Sequence, residues 1–219
     1  MYEKAKTCAI IPFFNEQTSI REVVERTKNY VDCIIGVNDG STDDSEERIK
    51  NIDNVLLISF SENKGKGFAI RKAFEKAIEL DYDYFLILDA DLQHPPELIP
   101  GLVGLLNNCD IVCGNRMNNT GRMPIQRILS NRLTSLLLSL KTGIDIMDSQ
   151  CGFRAFKKEI IPKLIPGNNG YEAESEILIL AARNNFKIGF FDIPSVYENQ
   201  TSKMKPVKTI LGFIKTLFM

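Results

Sequence analysis

Two aspartates separated by one alanine, Asp89-Ala90-Asp91, follow directly on the apolar run Tyr84-Phe85-Leu86-Ile87-Leu88. Carboxylates leaving a buried strand repel one another and lose hydration, a cost that a bound divalent cation removes. All-oxygen ligation of this kind suits Mg2+ or Mn2+, with substrate phosphates completing the shell. A pair of solvated turn aspartates leading into the next helix is the other reading of the same letters. The choice recurs at Pro12-Phe13-Phe14-Asn15-Glu16 and at Asp39-Gly40-Ser41-Thr42-Asp43, where hydroxyls, carboxylates and backbone donors could meet a ligand or simply cap a turn. Gly65 and Gly67, set around Lys64 and Lys66, would either let backbone and ammonium groups approach a phosphate or form an ordinary turn.

These segments need a scaffold that brings them to one place. Short apolar runs at 8–13, 33–38, 55–60, 84–88 and 110–113 read as strands, and between them 16–30, 43–49, 65–80 and 96–107 carry apolar residues at helical spacing. Strand and helix in alternation predict a mostly parallel α/β sheet with helices on both faces. Its ligand edge lies at the carboxyl ends of the strands, where Asn15, Asp39, Lys66 and Asp89 all fall. Beyond residue 115 a long apolar helix over 124–140 precedes an irregular stretch over 142–153, a helix over 172–184 and a strand over 187–193. This second half is expected to shape an acceptor site.

The 219 residues suit one domain, and a formal net charge of −1 supplies no global basic field for nucleic acid. With one histidine, His94, and no CxxC pair, a zinc site is not expected. The five cysteines are odd in number, and Cys8, Cys33 and Cys113 lie in apolar runs, so reduced core thiols in a cytosolic chain are the expectation. Neither a signal peptide nor an 18-residue apolar segment is apparent, and the glycosylation-type triplets at Asn118 and Asn199 are taken as chance.

Taken together and in order, PFFNE (12–16), NDGSTDDS (38–45), NKGKG (63–67), DADLQHPP (89–96), GNR (114–116) and DSQCGFRAF (148–156) resemble the family 2 glycosyltransferases of the GT-A fold. Among these the polyprenyl-phosphate mannose and glucose synthases are most similar. The resemblance spans residues 8–200, with DADLQHPP and DSQCGFRAF its most specific parts. It implies a Rossmann-like GT-A domain over 1–205, with a nucleotide-sugar half (1–115) and an acceptor half (116–205), followed by an amphipathic helix over 206–219. The implied reaction moves a hexose with inversion from GDP-mannose or UDP-glucose to a polyprenyl phosphate, with Mg2+ or Mn2+.

Residue by residue, the resemblance implies that Asp89, Asp91 and Gln93 surround the metal. Asp39 would meet the nucleotide base, Pro12, Asn15 and Glu16 its pocket, and Lys66, Ala90 and Lys203 the rest of the donor, with Lys205 second to Lys203. Arg116, Arg127, Arg132, Ser149 and Gln150 would take the acceptor phosphate, Arg116 and Arg132 catalytically, and Glu174 would touch the sugar. The family's second arginine directly follows a serine, whereas here Asn131 intervenes between Ser130 and Arg132. His94 reads as a structural residue of the metal loop and Arg154 as one that orders the acceptor loop. A lipid phosphate is already ionised and needs no general base, unlike a hydroxyl acceptor.

At the C-terminus Val207, Ile210, Leu211, Ile214, Leu217 and Phe218 share one helical face, with lysines off it. Such a helix, with 203–205, would lie on the cytoplasmic face of a membrane, pack on the domain or form a dimer contact. A separate membrane-anchor subunit is equally compatible. Two rival functions stay open: a family 2 transferase acting on a glycan or other hydroxyl, and a nucleotide-sugar-binding subunit without turnover.

Overall fold

The computed structural model describes residues 5–121, 123–196 and 206–218, the side chains of 206–211 excepted. Its strands are β1 (Thr7–Phe13), β2 (Cys33–Asn38), β3 (Val55–Ser59), β4 (Tyr84–Ile87), β5 (Ile111–Asn115), β6 (Arg154–Lys157) and β7 (Ile188–Asp192). They form one sheet in the order β3-β2-β1-β4-β6-β5-β7. The helices are α1 (Ile20–Thr27), α2 (Lys66–Glu79), α3 (Ile99–Gly104), α4 (Ile125–Thr142), α5 (Ala173–Arg183) and α6 (Pro206–Leu217).

β1 is buried along its whole length, so both faces of the sheet must be covered. Its alternate side chains divide between two cores. Cys8 and Ile10 join Ala69, Ala73 and Phe74 of α2 and Leu178 of α5, whereas Ala9, Ile11 and Phe13 meet Val23 and Val24 of α1 and Leu102 of α3. Each fully buried isoleucine here contributes about 1.5–3 kcal/mol. Pro12 fits this strand because the β1–β4 pairing ends at Ile10 and Ile87, before its missing N–H would matter.

Four strand pairs are parallel, as the alternation predicts, but β6 runs antiparallel to both β4 and β5. That reversal matters for the site: Arg154, the first residue of β6, pairs with Ile87 at the carboxyl end of β4 and with Cys113 near that of β5. The preceding loop, 148–153, is therefore delivered to the edge where Asp89 emerges.

Three helical expectations change. Residues 44–50 form turns instead of a helix, because Asp43 accepts both the backbone N–H and the hydroxyl of Ser45 and so competes with helical bonding. α1 starts at Ile20 instead of residue 16, since Asn15 takes a left-handed φ of 54° and breaks the chain direction there. The helix expected over 96–107 is split into 3-10, α and 3-10 pieces, with Pro96 and Pro100 removing backbone donors.

Candidate active site

The loops leaving β1 and β2 are laced together by short polar side chains. The Asn15 Oδ1 accepts the Thr42 N–H at 2.8 Å, the Ser41 Oγ accepts the Asn15 N–H at 3.0 Å, and the Ser45 Oγ accepts the Glu16 N–H at 2.7 Å. Asp39 is buried, and its two oxygens accept the N–H groups of Lys64 and Gly65 at 2.9 and 2.8 Å. Burial pushes the Asp39 carboxyl up, against those two backbone donors. Gly40 beside it has φ 72°, and a Cβ there would lie 2.3 Å from the Glu62 carbonyl carbon, so two loops close on a residue that only glycine fits.

At the end of β4 the chain turns sharply. Leu92 adopts φ 64°, a left-handed conformation that costs a β-side-chain residue about 1 kcal/mol or more. The Asp91 Oδ1 accepts the Gln93 N–H at 3.0 Å. Burial, then the adjacent Asp89, raises the Asp91 carboxyl to about 6. His94 is buried and stacked on Phe153, and its Nδ1 faces the Asp89 N–H at 3.3 Å, which assigns the proton to Nε2, 3.9 Å from the Cys151 Sγ. Burial lowers the His94 pKa to about 4, so the ring is neutral at pH 7.

Lys66, at the first turn of α2, reaches Asp89 Oδ1 at 2.5 Å and Glu174 Oε1 at 2.6 Å. Burial works against its ammonium, but these two carboxylates outweigh it and hold Lys66 above the usual lysine range. Asp89 responds in kind: burial opposes its charge, and Lys66 followed by His94 lowers its carboxyl to about 2. Tyr171 covers the lysine, its ring centroid 5.9 Å from Nζ. Gly65 and Gly67 face inward, their missing Cβ positions 2.4 Å from the carbonyl oxygens of Asn169 and Asn168, so close packing on the 168–170 loop explains both glycines.

The opposite wall is the 148–154 loop. Asp148, fully buried, accepts Arg116 Nε at 2.8 Å and NH2 at 3.0 Å, with Asn131 Nδ2 at 2.6 Å. Arg154, also buried, donates to the carbonyls of Cys151, Glu174 and Ser149. Gly152 borders Asp89: a Cβ there would lie 2.6 Å from Asp89 Oδ2 and 3.0 Å from Lys66 Nζ. A Gly152→Ala protein is expected to fold but to lose roughly tenfold in turnover, because the Asp89 carboxylate must shift; a turnover assay beside a thermal melt checks this.

Residues 8–165 match the model of the glycosyl transferase family 2. The chain belongs to glycosyltransferase family 2. Among curated family members, a UDP-N-acetylglucosamine–dolichyl-phosphate N-acetylglucosaminyltransferase of Methanococcus voltae is 33% identical over 93% of this chain and 90% of its own. A dolichol-phosphate mannosyltransferase of Pyrococcus furiosus is 32% identical over 80% of this chain, which spans about half (52%) of that protein. The fold is GT-A: glucosyl-3-phosphoglycerate synthase of Mycobacterium tuberculosis, solved with Mn2+, uridine diphosphate and phosphoglyceric acid, superposes with a TM-score of 0.76 over 98% of this chain and 78% of its own, at 22% identity.

Within this family 2 domain, Asp89, Asp91, Gln93, Lys66 and Glu174 converge at the end of β4, and Asn15, Glu16 and Asp39 frame the neighbouring edge. Several other expected site residues lie differently. Pro12 and Ala90 are buried in the sheet core, so only the Ala90 backbone faces the loop. Ser149 is turned into α4, bonded to Thr134 and Ser135, and so anchors the loop from below instead of lining the cleft. Arg116 carries a structural partner, Asp148, on Nε and NH2. Gln150 reaches Ser130 and Thr134 on one flank of α4. At 3.6 residues per turn Arg127 shares that flank, whereas Arg132 lies about 160° around the helix from both Ser130 and Thr134. Asn131 takes the inward position on Asp148, and Arg132, the next residue, is exposed. Lys203 and Lys205 lie outside the described residues.

Gly152, Asn131 and Tyr171 are additions that motif reading passed over. Gly152 stands inside DSQCGFRAF, yet its role depends on a contact with a residue 63 positions earlier.

Proposed function

We propose that the chain transfers a sugar from a nucleoside diphosphate sugar to a polyprenyl phosphate with inversion at the anomeric carbon. What carries the reading is the meeting of Asp89-Ala90-Asp91 with the 148–154 loop and the Gln150 flank of α4 at one sheet edge. Near-full-length similarity to a dolichyl-phosphate sugar transferase supports the acceptor class. That relative's name adds UDP-N-acetylglucosamine to GDP-mannose and UDP-glucose as donors to test.

Among the described residues no three His, Cys, Asp or Glu side chains gather as a metal cage. Two carboxylates on a strand end nevertheless fit Mg2+ or Mn2+, which use one or two protein carboxylates with substrate phosphates. Held by Asp89 and Asp91 with Gln93 beside them, the ion would supply Lewis-acid neutralisation of the departing nucleoside diphosphate. Lys66 has three donors, two of them spent on Asp89 and Glu174, and offers the third to a diphosphate oxygen. In this reading Glu174, tethered to Lys66, serves as a sugar contact instead of a base. Neutral His94 holds the Asp89 backbone and moves no proton. An acceptor phosphate oxygen bonds to the anomeric carbon as the bond to the diphosphate breaks, and both leaving group and nucleophile are already anions. Arg127 and Gln150 orient that phosphate.

The test is nucleoside diphosphate release from GDP-mannose, UDP-glucose and UDP-N-acetylglucosamine with Mn2+, with and without a short polyprenyl phosphate. Release that requires the lipid phosphate, with acceptor KM raised about tenfold by Arg127→Ala and unmoved by Arg132→Ala, is the expected result. Release indifferent to the lipid would replace this reading with a hydroxyl-acceptor transferase, and donor binding without release would replace it with a non-catalytic module.

A further inference from the structure

Among the described residues Arg154 is the largest side chain that is fully buried, at 1% exposure. A guanidinium taken out of water persists only where strong acceptors replace its hydration. Here they are three backbone carbonyls: Cys151 O on Nε at 2.9 Å, Ser149 O on Nη2 at 2.9 Å and Glu174 O on Nη1 at 2.5 Å. The Arg154 backbone is itself fixed in the sheet, paired with Ile87 of β4 and Cys113 of β5. Its planar fork is therefore a rigid post from which three bonds leave in set directions.

Two of those bonds bracket one residue. Ser149 and Cys151 stand on either side of Gln150, whose own N–H donates to Asp148 Oδ1 at 3.2 Å and whose Nε2 reaches Ser130 and Thr134 on α4. Holding the carbonyls of both neighbours leaves Gln150 little freedom to turn. The third bond leaves the loop for the first turn of α5, where the Glu174 side chain ends on Lys66 at 2.6 Å. Lys66 holds Asp89, and Asp89 borders Gly152, the residue after Cys151. The contacts thus close into a ring: Arg154, Glu174, Lys66, Asp89, Gly152 and Cys151.

Ordering the 148–153 loop accounts for two of the bonds and leaves the third unexplained. A carbonyl in the first turn of an α-helix already accepts the N–H four residues on, so Glu174 O has no need of a second donor. What the third bond does is tie the start of α5 to the loop that carries Gln150. The residues on the donor side and the residue on the acceptor side are then not placed independently. A shift of Lys66 and Glu174 toward a diphosphate and its sugar moves the first turn of α5, and the guanidinium passes that shift to both carbonyls around Gln150.

We propose that Arg154 is a positioning residue that couples the two substrate sides, making the placement of Gln150 depend on Glu174 and Lys66. The inference rests on the transferase reading above and adds to it that donor binding steadies the acceptor loop before the acceptor arrives. Arg154 touches neither substrate and acts only through the three carbonyls it holds.

Arg154→Lys keeps the charge but replaces a three-point fork by a single ammonium, and two measurements on it test the coupling. In a double-mutant cycle, Gln150→Ala should raise the KM for a short polyprenyl phosphate about tenfold in the parent and no more than about twofold in Arg154→Lys, where Gln150 is already misplaced. A side chain that only holds the fold together would leave the two changes independent, so that their factors multiply. Amide hydrogen exchange supplies a readout without turnover. Mn2+ and the nucleotide sugar, with no acceptor present, should slow exchange at least about fivefold in both 171–176 and 148–153 of the parent, and only in 171–176 of Arg154→Lys. The parent measurement needs no variant, so it decides even where Arg154→Lys does not fold. Release that requires the lipid phosphate judges the transferase reading by itself. Where that holds, multiplying factors, slowing confined to 171–176 in the parent, or slowing at 148–153 that survives in Arg154→Lys would each overturn the role of Arg154 alone.

Discussion

Asp91→Ala is expected to keep its fold and lose about three orders of magnitude or more in kcat. Its Oδ1 accepts the Gln93 N–H, and in the metal site proposed above its removal would leave Asp89, whose charge is already shared with Lys66, as the sole acidic ligand. Losing about 4 kcal/mol of leaving-group stabilisation corresponds to roughly a thousandfold in rate. Stability should move the other way. A carboxyl raised to about 6 by burial and by Asp89 is ionised at a cost at pH 7, so the alanine protein should melt no lower than the parent. Mn2+-dependent nucleoside diphosphate release, paired with thermal melts, measures both. Turnover within tenfold of the parent would remove the metal assignment, and a collapsed melting temperature would show that Asp91 holds the loop instead.

The largest stability effect is expected at Asp148. Replacing it by asparagine leaves the Arg116 guanidinium buried without its counter-charge, a loss of about 3–5 kcal/mol and on the order of 10 °C in melting temperature. Burial alone would raise the Asp148 carboxyl, but bonding to Arg116 and Asn131 outweighs it and holds the group below its usual value. A carboxyl depressed on folding stabilises fully above its unfolded pKa, near 3.9, and that contribution disappears as pH falls through the folded value. The gap between parent and Asp148→Asn should therefore be constant from pH 8 to about 5 and narrow below about 4. Urea titrations across that range check it. A gap independent of acidification would mean that hydrogen-bond shape, and not charge, is what Arg116 requires.

Much of this arrangement was legible in the chain. Period and turn chemistry mark most strands and helices, and the carboxyl edge of the sheet follows from their alternation, which is why Asn15, Asp39, Lys66 and Asp89 could be placed together. β6 escaped notice because Arg154-Ala155-Phe156-Lys157 is four residues long and owes its strand character to pairing with β4 and β5 on both sides. The three acids of Tyr171-Glu172-Ala173-Glu174-Ser175-Glu176 are equivalent as letters. Only packing sends Glu174 to Lys66 and Glu176 to the N–H groups of Gly167 and Asn168. Polar turns imitate helix starts, as at 43–49, where Asp43 accepts the Ser45 N–H and the segment stays in turns. Motif order suggested Arg132 for the acceptor phosphate, but which flank of a helix a residue takes depends on about 100° of rotation per residue, which the motif letters do not show.

Lys66 has a further bearing on how ion and donor arrive. The principal carboxylate of this site already has an ammonium 2.5 Å away. In the metal site proposed above, an ion alone would meet a half-neutralised pair of ligands and a local positive charge. The diphosphate changes that balance, because its oxygens both complete the coordination shell and draw the ammonium to themselves. Ion and donor would thus strengthen each other's binding by the same factor, as reciprocal linkage demands. In that reading Lys66 would make the apparent affinity for metal a property of the donor concentration.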